Sequence, residues 1–226
     1  MTSARRWFPY ILAAIALSIS AAGLAQDAPG AEIVLPDIAA TGDISLEAAI
    51  AARRSVREFA DTPLTWAQIG QLAWAAQGIT DTDSGFRTAP SAGGLYPLEV
   101  YLATPDGLYQ YLPAEHKLVR LSEGDPRPRL RDAGGQDAIL QAPLTIILAA
   151  VFERTQARFG ERADVYVYME AGHAAQNVLL QAVALGLGSV PMGGLAPDRV
   201  AEALSLPDDH QPLYIMPVGH PPAPQE

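Results

Sequence analysis

The stretch 144–152 constrains the fold of this chain more than any other, because it is apolar along both faces of a strand, with only Thr145 as an exception. Side chains alternate between the two faces of a strand, so a strand that is apolar on both faces has to be buried on both. We therefore predict that residues 144–152 form a central strand of a buried sheet.

Further strands and helices are predicted on both sides of this run. Short apolar or alternating runs, separated by Pro, Gly and Asp, predict strands at 98–104, 108–112, 117–121 and 213–219. Helical spacing predicts helices at 46–52 after Ser45, at 65–77 from Thr65, at 128–133, at 163–185 and at 197–204. Helices and strands do not alternate regularly, which predicts an α+β fold and not a doubly wound sheet.

The predicted helix 163–185 is the longest, and it is apolar nearly all round, which indicates a buried helix. Its polar residues Glu170, His173, Asn177 and Gln181 are spaced three and four apart, so they form one seam. Buried polar groups need partners. The seam therefore predicts either a satisfied structural network or a face toward a cofactor or a second subunit.

Charge and composition exclude several functional classes. The chain has 226 residues, enough for one domain, and 15 Lys and Arg against 25 Asp and Glu give a net charge of -10. This balance disfavours nucleic acid and anionic membranes as partners. There is no Cys, and the four His show no metal-binding spacing, so we predict no metal site.

The N-terminus has the pattern of an export signal. Arg5 and Arg6 precede an apolar run that ends in small residues at position 25, which predicts a signal over 1–25 and a periplasmic protein. The sequence around Arg5 and Arg6 also resembles the twin-arginine export motif. The alternative is an uncleaved membrane anchor. We predict a linker over 26–43, the folded domain over 44–222 and a short tail over 223–226.

A cationic cluster follows the predicted helix 46–52. It consists of Arg53, Arg54, Ser55 and Arg57. Guanidinium groups match phosphate oxygens in pairs, and a serine hydroxyl adds a short donor. This predicts a phosphate-binding site, with a solvated basic helix end as the alternative.

Two glycine-containing stretches, 87–97 and 191–194, offer places where the backbone can approach a flat ligand. Each is also compatible with a simple turn. The chain has no G-x-S-x-G elbow, no P-loop and no G-x-G-x-x-G fingerprint. Its sequence therefore gives no support to an α/β-hydrolase, a P-loop NTPase or a Rossmann dinucleotide site.

Taken together, these motifs resemble the nitroreductase family of FMN proteins. Residues 53–59 are similar to the opening motif of the family, and residues 186–194 are similar to its later flavin loop. Residues 87–101 and 172–177 resemble its SagB-type branch, which is named for azoline-oxidising enzymes of peptide maturation. The resemblance spans about residues 45–221.

The resemblance implies an intertwined α+β homodimer, with a central mainly antiparallel sheet flanked by helices and with FMN at the interface. It implies two half-reactions at one site, in which NAD(P)H or another reductant reduces FMN and an acceptor reoxidises it. It also implies a site, in which Arg53, Arg54 and Ser55 hold the phosphate and ribityl chain. Arg57 would lie at the N1 and O2 edge of the flavin ring, with Arg87 as the second candidate for that place. Pro90, Ser91 and Ala92 of the partner subunit would contact the ring, and Pro191, Met192, Gly193 and Gly194 would lie along its other side.

Two positions depart from the pattern of the family. Azoline oxidases of the branch carry Lys-Tyr where this chain has Arg158 and Phe159, so abstraction of a proton from an azoline is not expected. Many members also supply a late Lys or Arg to the phosphate, where this chain offers only His220. The alternatives to an FMN oxidoreductase are a flavin-binding or interaction protein without turnover, and an azoline dehydrogenase of peptide maturation.

Overall fold

A computed structural model describes residues 28–223, in which a seven-stranded sheet forms the centre of the fold. The strand order is β1-β6-β5-β4-β7-β9-β8, and every neighbouring pair is antiparallel. The strands are β1 (Glu32–Val34), β4 (Leu98–Thr104), β5 (Gly107–Leu112), β6 (Lys117–Glu123), β7 (Leu144–Ala150), β8 (Gly188–Ser189) and β9 (Gln211–Gly219). A separate small hairpin pairs β2 (Ile79–Asp81) with β3 (Phe86–Arg87).

The α-helices that the structure describes cover both faces of the sheet. They are α1 (Leu46–Ala52), α2 (Trp66–Gln77), α3 (Arg127–Gly134), α4 (Ala138–Gln141), α5 (Glu153–Phe159), α6 (Ala163–Ala184) and α7 (Pro197–Leu204). Two of them begin at predicted caps, because the Ser45 side chain accepts a hydrogen bond from Ala48 and Thr65 forms a capping box with Gln68. No helix within residues 28–223 has the length and apolar character needed to span a bilayer.

Strand β7 is buried along its whole length, as its sequence predicts. Leu144, Ile146 and Leu148 belong to a core that includes residues of α2 and α6. Ile147 and Ala149 point to the other face, into a second core with residues of α3, α4 and α7. The α+β prediction is therefore confirmed, with a mainly antiparallel sheet between helices.

Helix α6 matches its predicted position but not its predicted burial. One face packs into the core through residues such as Val167, Ala174 and Val178. The opposite face is open, and Tyr168 and Met169 are 53% and 56% exposed. The expectation of a helix buried on all sides is corrected, because no other element within residues 28–223 covers that face.

The segment 26–43, predicted as a linker, contributes to the sheet. Glu32–Val34 pair with β6, and Leu35 is buried in the core. The amide N–H of Ala39 donates to Oε1 of Gln71 at 2.8 Å. Residues 28–43 therefore do not form a free spacer. The predicted export signal over 1–25 and most of the tail over 223–226 lie outside the described residues.

Candidate functional site

The cationic cluster lies where α1 ends and the chain runs beside β8 and β9. Arg53 caps the C-terminus of α1 in an extended conformation. Ser55 then forms a parallel bridge with Ser189, and the amide N–H of Val56 donates to the carbonyl of Ser189 at 3.0 Å. The fold thus brings the first predicted motif against the later glycine-containing loop.

The same edge of the sheet includes the end of β9. The amide N–H of Ala60 donates to the carbonyl of His220 at 2.9 Å, and Gly219 pairs with Gly188. The segment 53–60 therefore runs from Ser189 to His220. Its position is consistent with the prediction that His220 belongs to the same region as the arginines.

Gly188 permits this close approach. A Cβ atom at Gly188 would lie 2.7 Å from Cβ of Val56, which is well inside van der Waals contact. Gly188→Ala is therefore expected to push residues 53–57 away from β8 and to destabilise the protein by about 1–3 kcal/mol. Urea unfolding measures the loss, and Gly172→Ala is the control because nothing lies within 4 Å of the Cβ position of Gly172. Equal stabilities of Gly188→Ala and the wild type would contradict this account of the contact.

The arginines of the cluster have no carboxylate partner among residues 28–223. Nη1 of Arg54 donates to the carbonyls of Ala51 and Arg53, at 2.9 and 2.8 Å. Arg53 and Arg57 form no hydrogen bond or ion pair through their side chains in this part of the chain. In a protein of net charge -10, such a concentration of uncompensated positive charge favours an anionic ligand.

A buried hydroxyl group adds to this site. Ser189 is 3% exposed, and its Oγ has no hydrogen-bond partner among the described residues. A buried polar group without a partner is costly unless a ligand or water satisfies it. Oγ of Ser189, beside Ser55 and the arginines, fits a ligand that carries phosphate and hydroxyl groups.

The second glycine-containing stretch, 87–97, packs against α2 and α6. Nη1 of Arg87 donates to Oε1 of Gln77 at 3.0 Å, and its guanidinium lies 4.5 Å from the centre of the Tyr96 ring. Oγ of Ser91 accepts from the amide N–H of Tyr96 at 2.9 Å. The Arg87 side chain is thus held by Gln77 and Tyr96. Burial lowers the pKa of its guanidinium group.

The polar seam of α6 supplies partners to this segment. Nδ2 of Asn177 donates to the carbonyl of Thr88 at 3.1 Å, and Oε1 of Gln181 accepts from Gln71 at 3.3 Å. Glu170 is buried beneath the segment, whereas His173 is exposed. The predicted structural network is therefore found for Asn177 and Gln181, and Glu170 is the member whose environment is least ordinary.

Burial raises the pKa of the Glu170 carboxyl group to about 7. The Ser91 hydroxyl, the positive charge of Arg87 and the Gln77 amide oppose this rise without cancelling it. Oε1 of Glu170 has no hydrogen-bond partner among the described residues, and neither has Nε2 of Gln77. Sequence reasoning identified the seam but did not assign a role to Glu170.

The loop 191–194 forms part of an open cleft of about 280 Å³. The backbone of Met192 pairs with Ile215 in both directions, at 2.9 and 3.0 Å, while Pro191 is half-buried and Gly193 and Gly194 are exposed. The cleft is lined mainly by apolar and aromatic residues, among them Tyr168, Ala171, Gly193, Leu213 and Tyr214. Its walls suit a flat, partly apolar group.

Within one chain, the two halves of the predicted site are not joined. No hydrogen bond or ion pair in residues 28–223 connects the segment 87–97, which carries Pro90, Ser91 and Ala92, to residues 53–57. The cluster and the loop 191–194 share one edge of the sheet, and the segment 87–97 lies on α2 and α6. No group of His, Asp or Glu in the described part of the chain has the arrangement of a metal site.

Arg158 and Phe159 also contact the segment 87–97. Nη1 of Arg158 donates to the carbonyl of Gly93 at 3.3 Å, and its guanidinium lies 5.4 Å from the centre of the Phe159 ring. Gly93 has a φ of 66°, and a Cβ atom there would lie 2.8 Å from Nη1 of Arg158. Arg158 therefore binds the backbone of the turn at 92–94, in which Gly93 and Gly94 stay exposed.

These features define an α+β protein in which an arginine cluster without carboxylate partners and an open cleft lie along the same edge of the sheet. The chain belongs to the Nitroreductase family, whose model matches residues 50–220, and it is thus an oxidoreductase of that family. Members of the family typically carry a flavin. The uncompensated arginines and the unpartnered hydroxyl of Ser189 fit such a group.

Several known proteins are similar to this chain. A candidate nitroreductase of Methanocaldococcus jannaschii is 43% identical over 195 residues, which cover 83% of this chain and 96% of that protein. The crystal structure of a candidate nitroreductase from Ralstonia eutropha superimposes with a TM-score of 0.79 at 34% identity, covering 85% of this chain and 90% of that one.

More distant relatives have names that refer to flavin chemistry or peptide processing. The FMN reductase [NAD(P)H] of Bacillus subtilis is 24% identical over 185 residues, which cover 74% of this chain and 62% of that protein. The Microcin B17-processing protein McbC of Escherichia coli is 28% identical over 150 residues, which cover 61% of this chain and 55% of that protein. The chain therefore spans only part of each of these two relatives.

Proposed function

We propose that this chain is an FMN-dependent oxidoreductase of the nitroreductase family that takes electrons from NAD(P)H or another small reductant and passes them to a small acceptor. The observation that carries the proposal is the group of three arginines without carboxylate partners beside the buried hydroxyl of Ser189. The name of the Bacillus subtilis relative supports both FMN and NAD(P)H.

The phosphate and ribityl chain of FMN are assigned to one end of the site. Arg53 and Arg54 would provide the positive charge, and Ser55 and Ser189 would provide hydroxyl groups. His220 follows β9 beside the same segment and is the remaining candidate for this end. A dianionic phosphate makes short, charge-assisted hydrogen bonds with guanidinium groups, so these contacts would supply most of the affinity.

Bound FMN would supply two-electron chemistry, accepting a hydride from the reductant and returning electrons to the acceptor. Arg57 is assigned to the edge of the ring on which negative charge develops, where a fixed cation stabilises the reduced state. Arg87 is the second candidate, but its guanidinium already contacts Gln77 and the Tyr96 ring. We therefore assign the role to Arg57 first.

Replacement of Arg57 by alanine is expected to lower the two-electron reduction potential of the bound flavin. The positive charge of Arg57 would stabilise the reduced flavin more than the oxidised flavin, so its loss destabilises the reduced form. A loss of about 1–2 kcal/mol, typical of one exposed or half-buried charge contact, corresponds to a shift of roughly 20–45 mV. Potentiometric titration measures it. An unchanged potential would transfer the role to Arg87 or another group.

A second copy of this chain is proposed to complete the site. Pro90, Ser91 and Ala92 would then contact the flavin ring of the other subunit, and Pro191, Met192, Gly193 and Gly194 would line its opposite side. Large apolar side chains are exposed on α1 and α6, where Leu46 is 62% and Tyr168 is 53% exposed. Apolar surface of this kind marks contact surfaces, which supports a homodimer.

A further proposal concerns the electron acceptor. The likeness to McbC gives the SagB-type branch some support, but Arg158 cannot act as a proton acceptor and is bound to the carbonyl of Gly93. We therefore propose a small-molecule acceptor and not an azoline.

The basic and apolar order of residues 1–25 supports export to the periplasm, by the twin-arginine route, with a membrane anchor as the alternative.

The test is purification of the full chain with its bound chromophore. The proposal expects a yellow protein with one FMN per chain, bleached anaerobically by NAD(P)H or dithionite and recoloured by a quinone or a nitroaromatic compound. Flavin that is bound and reducible only by dithionite would favour the binding protein without turnover. A protein that takes up no FMN when FMN is added would overturn the proposal.

A further inference from the structure

The proposed function does not use Glu170, although this residue is a buried carboxyl group of the described chain. Its side chain is 2% exposed, and Oε1 has no hydrogen-bond partner in residues 28–223. Gln77, whose amide faces it, is fully buried and has an equally unpartnered Nε2. Such groups are costly to bury, so a residue that is neutral and apolar would be expected here if only packing mattered.

The surroundings of Glu170 belong to the segment 87–97. Ser91 and Arg87 of that segment both favour the ionised carboxylate, and Arg87 is in turn bound to Gln77. The other charged groups that face this cluster are Glu99 and Arg154, which form an ion pair at 2.6 Å. The phenol of Tyr96 lies under the Arg87 guanidinium. The buried Glu170 thus meets one cation, the half-buried Arg87, whose charge Glu99 also offsets in part.

Glu170 also adjoins the proposed flavin cleft. The next residue, Ala171, lines the cleft together with Gly193 and Tyr214. The Ser91 hydroxyl group, whose hydrogen bonding opposes the rise in the pKa of Glu170, lies between Pro90 and Ala92 in the segment 87–97. Two turns further along α6, Asn177 binds the carbonyl of Thr88. The segment is therefore attached to α6 at two points, of which only Glu170 is titratable.

We propose that Glu170 is a positioning residue, whose buried carboxyl group, with Arg87 and Ser91, holds the segment 87–97 against α6 and so fixes the surface that this segment presents to the flavin. The inference rests on the proposed function for the role of that surface. The attachment itself depends only on the contacts of Glu170.

The attachment has a pH dependence of known sign. Opening of the segment exposes Glu170 to water, where its pKa returns from about 7 toward the ordinary value of 4.5. Because the open state then binds its proton less tightly, a rise in pH between these two values favours opening. Below about 4.5 and above about 7 the effect levels off. Glutamine at position 170 keeps the size and hydrogen-bonding groups but cannot titrate.

Hydrogen exchange of the flavin-free full chain tests the proposal. After correction for the intrinsic pH dependence of amide exchange, we expect the opening constant of residues 87–97 to rise at least about tenfold from pH 5 to pH 7 in the wild type. Glu170→Gln should abolish that rise and keep the segment protected. Gln176→Ala, an exposed position on the same helix, is the matched control and should behave as the wild type.

Glu170→Ala provides a second comparison, since it removes the attachment at every pH. We expect at least tenfold faster exchange in residues 87–97 at pH 5 and at least tenfold weaker binding of FMN. An identical pH dependence in the wild type and Glu170→Gln would overturn the proposal, even if the alanine variant does not fold. If the wild type itself binds no FMN, the proposed function fails, while the exchange data still decide the role of Glu170.

Discussion

Simultaneous replacement of Arg53 and Arg54 by alanine is expected to give a folded protein that purifies without colour. Each guanidinium that contacts phosphate contributes about 1.5–3 kcal/mol, so the loss of both weakens FMN binding by roughly two to four orders of magnitude. The two side chains form no ion pair within the described residues, so their removal leaves no carboxylate unpaired. Absorbance of the purified protein and titration with FMN measure the effect.

The control for this pair is Arg129→Ala. Arg129 is exposed on α3, outside the cluster 53–57, and its removal changes the net charge in the same direction. It should leave FMN binding within about twofold of the wild type. If the double variant and Arg129→Ala both retained one tightly bound FMN per chain, the phosphate would have to lie elsewhere.

Glu170→Gln is expected to be more stable than the wild type at pH 8, and the difference should disappear near pH 4. The pKa of Glu170 is raised from 4.5 to about 7 in the folded chain, mainly by burial. The folded wild type therefore binds a proton more tightly than the unfolded chain, and it loses stability as pH rises through this interval. With 1.36 kcal/mol per unit of pKa, the loss approaches about 3 kcal/mol above pH 7.

Denaturant unfolding of both proteins from pH 4 to pH 8 measures this difference directly. Glu161→Gln is the control, because Glu161 is an exposed carboxylate just before α6 and should show no comparable dependence on pH. A constant difference between Glu170→Gln and the wild type across the range would mean that folding does not change the pKa of Glu170. That outcome would contradict the neutral, buried carboxyl group described here.

The helices and strands that local sequence determines were predicted well. Helix α1 begins after Ser45 and α2 after Thr65, because a cap is a contact within four residues. Strand β7 was predicted because its sequence is apolar on both faces of a strand. That pattern can be read without knowing which strands lie beside it. Strand β1 was missed, because three residues of an edge strand acquire their structure only by pairing with β6.

The sequence indicated the parts of the candidate site but not how the fold brings them together. The arginines 53, 54 and 57 were evident from composition, since guanidinium clusters are rare in so acidic a chain. Their position beside Ser189 depends on the bridge between Ser55 and Ser189, a contact between distant parts of the chain. The contact of Arg87 with Gln77 likewise depends on the packing of the hairpin β2-β3 against α2, which no local pattern reports.

The burial of Glu170 illustrates a further limit. Its spacing with Asn177 and Gln181 placed it in a polar seam, and two partners of that seam were then found at Thr88 and Gln71. The unpartnered Oε1 could not be foreseen, because it depends on which side chains of the segment 87–97 reach the helix.

The central claim is that the arginine cluster at the end of α1 binds the phosphate group of a flavin. The most direct test compares the affinities of FMN and riboflavin, which differ only in that phosphate, for the wild type and for the double variant of Arg53 and Arg54. We expect the wild type to prefer FMN by at least about a hundredfold, and the variant to bind the two flavins almost equally. Equal affinities in the wild type, or an undiminished preference in the variant, would contradict the claim.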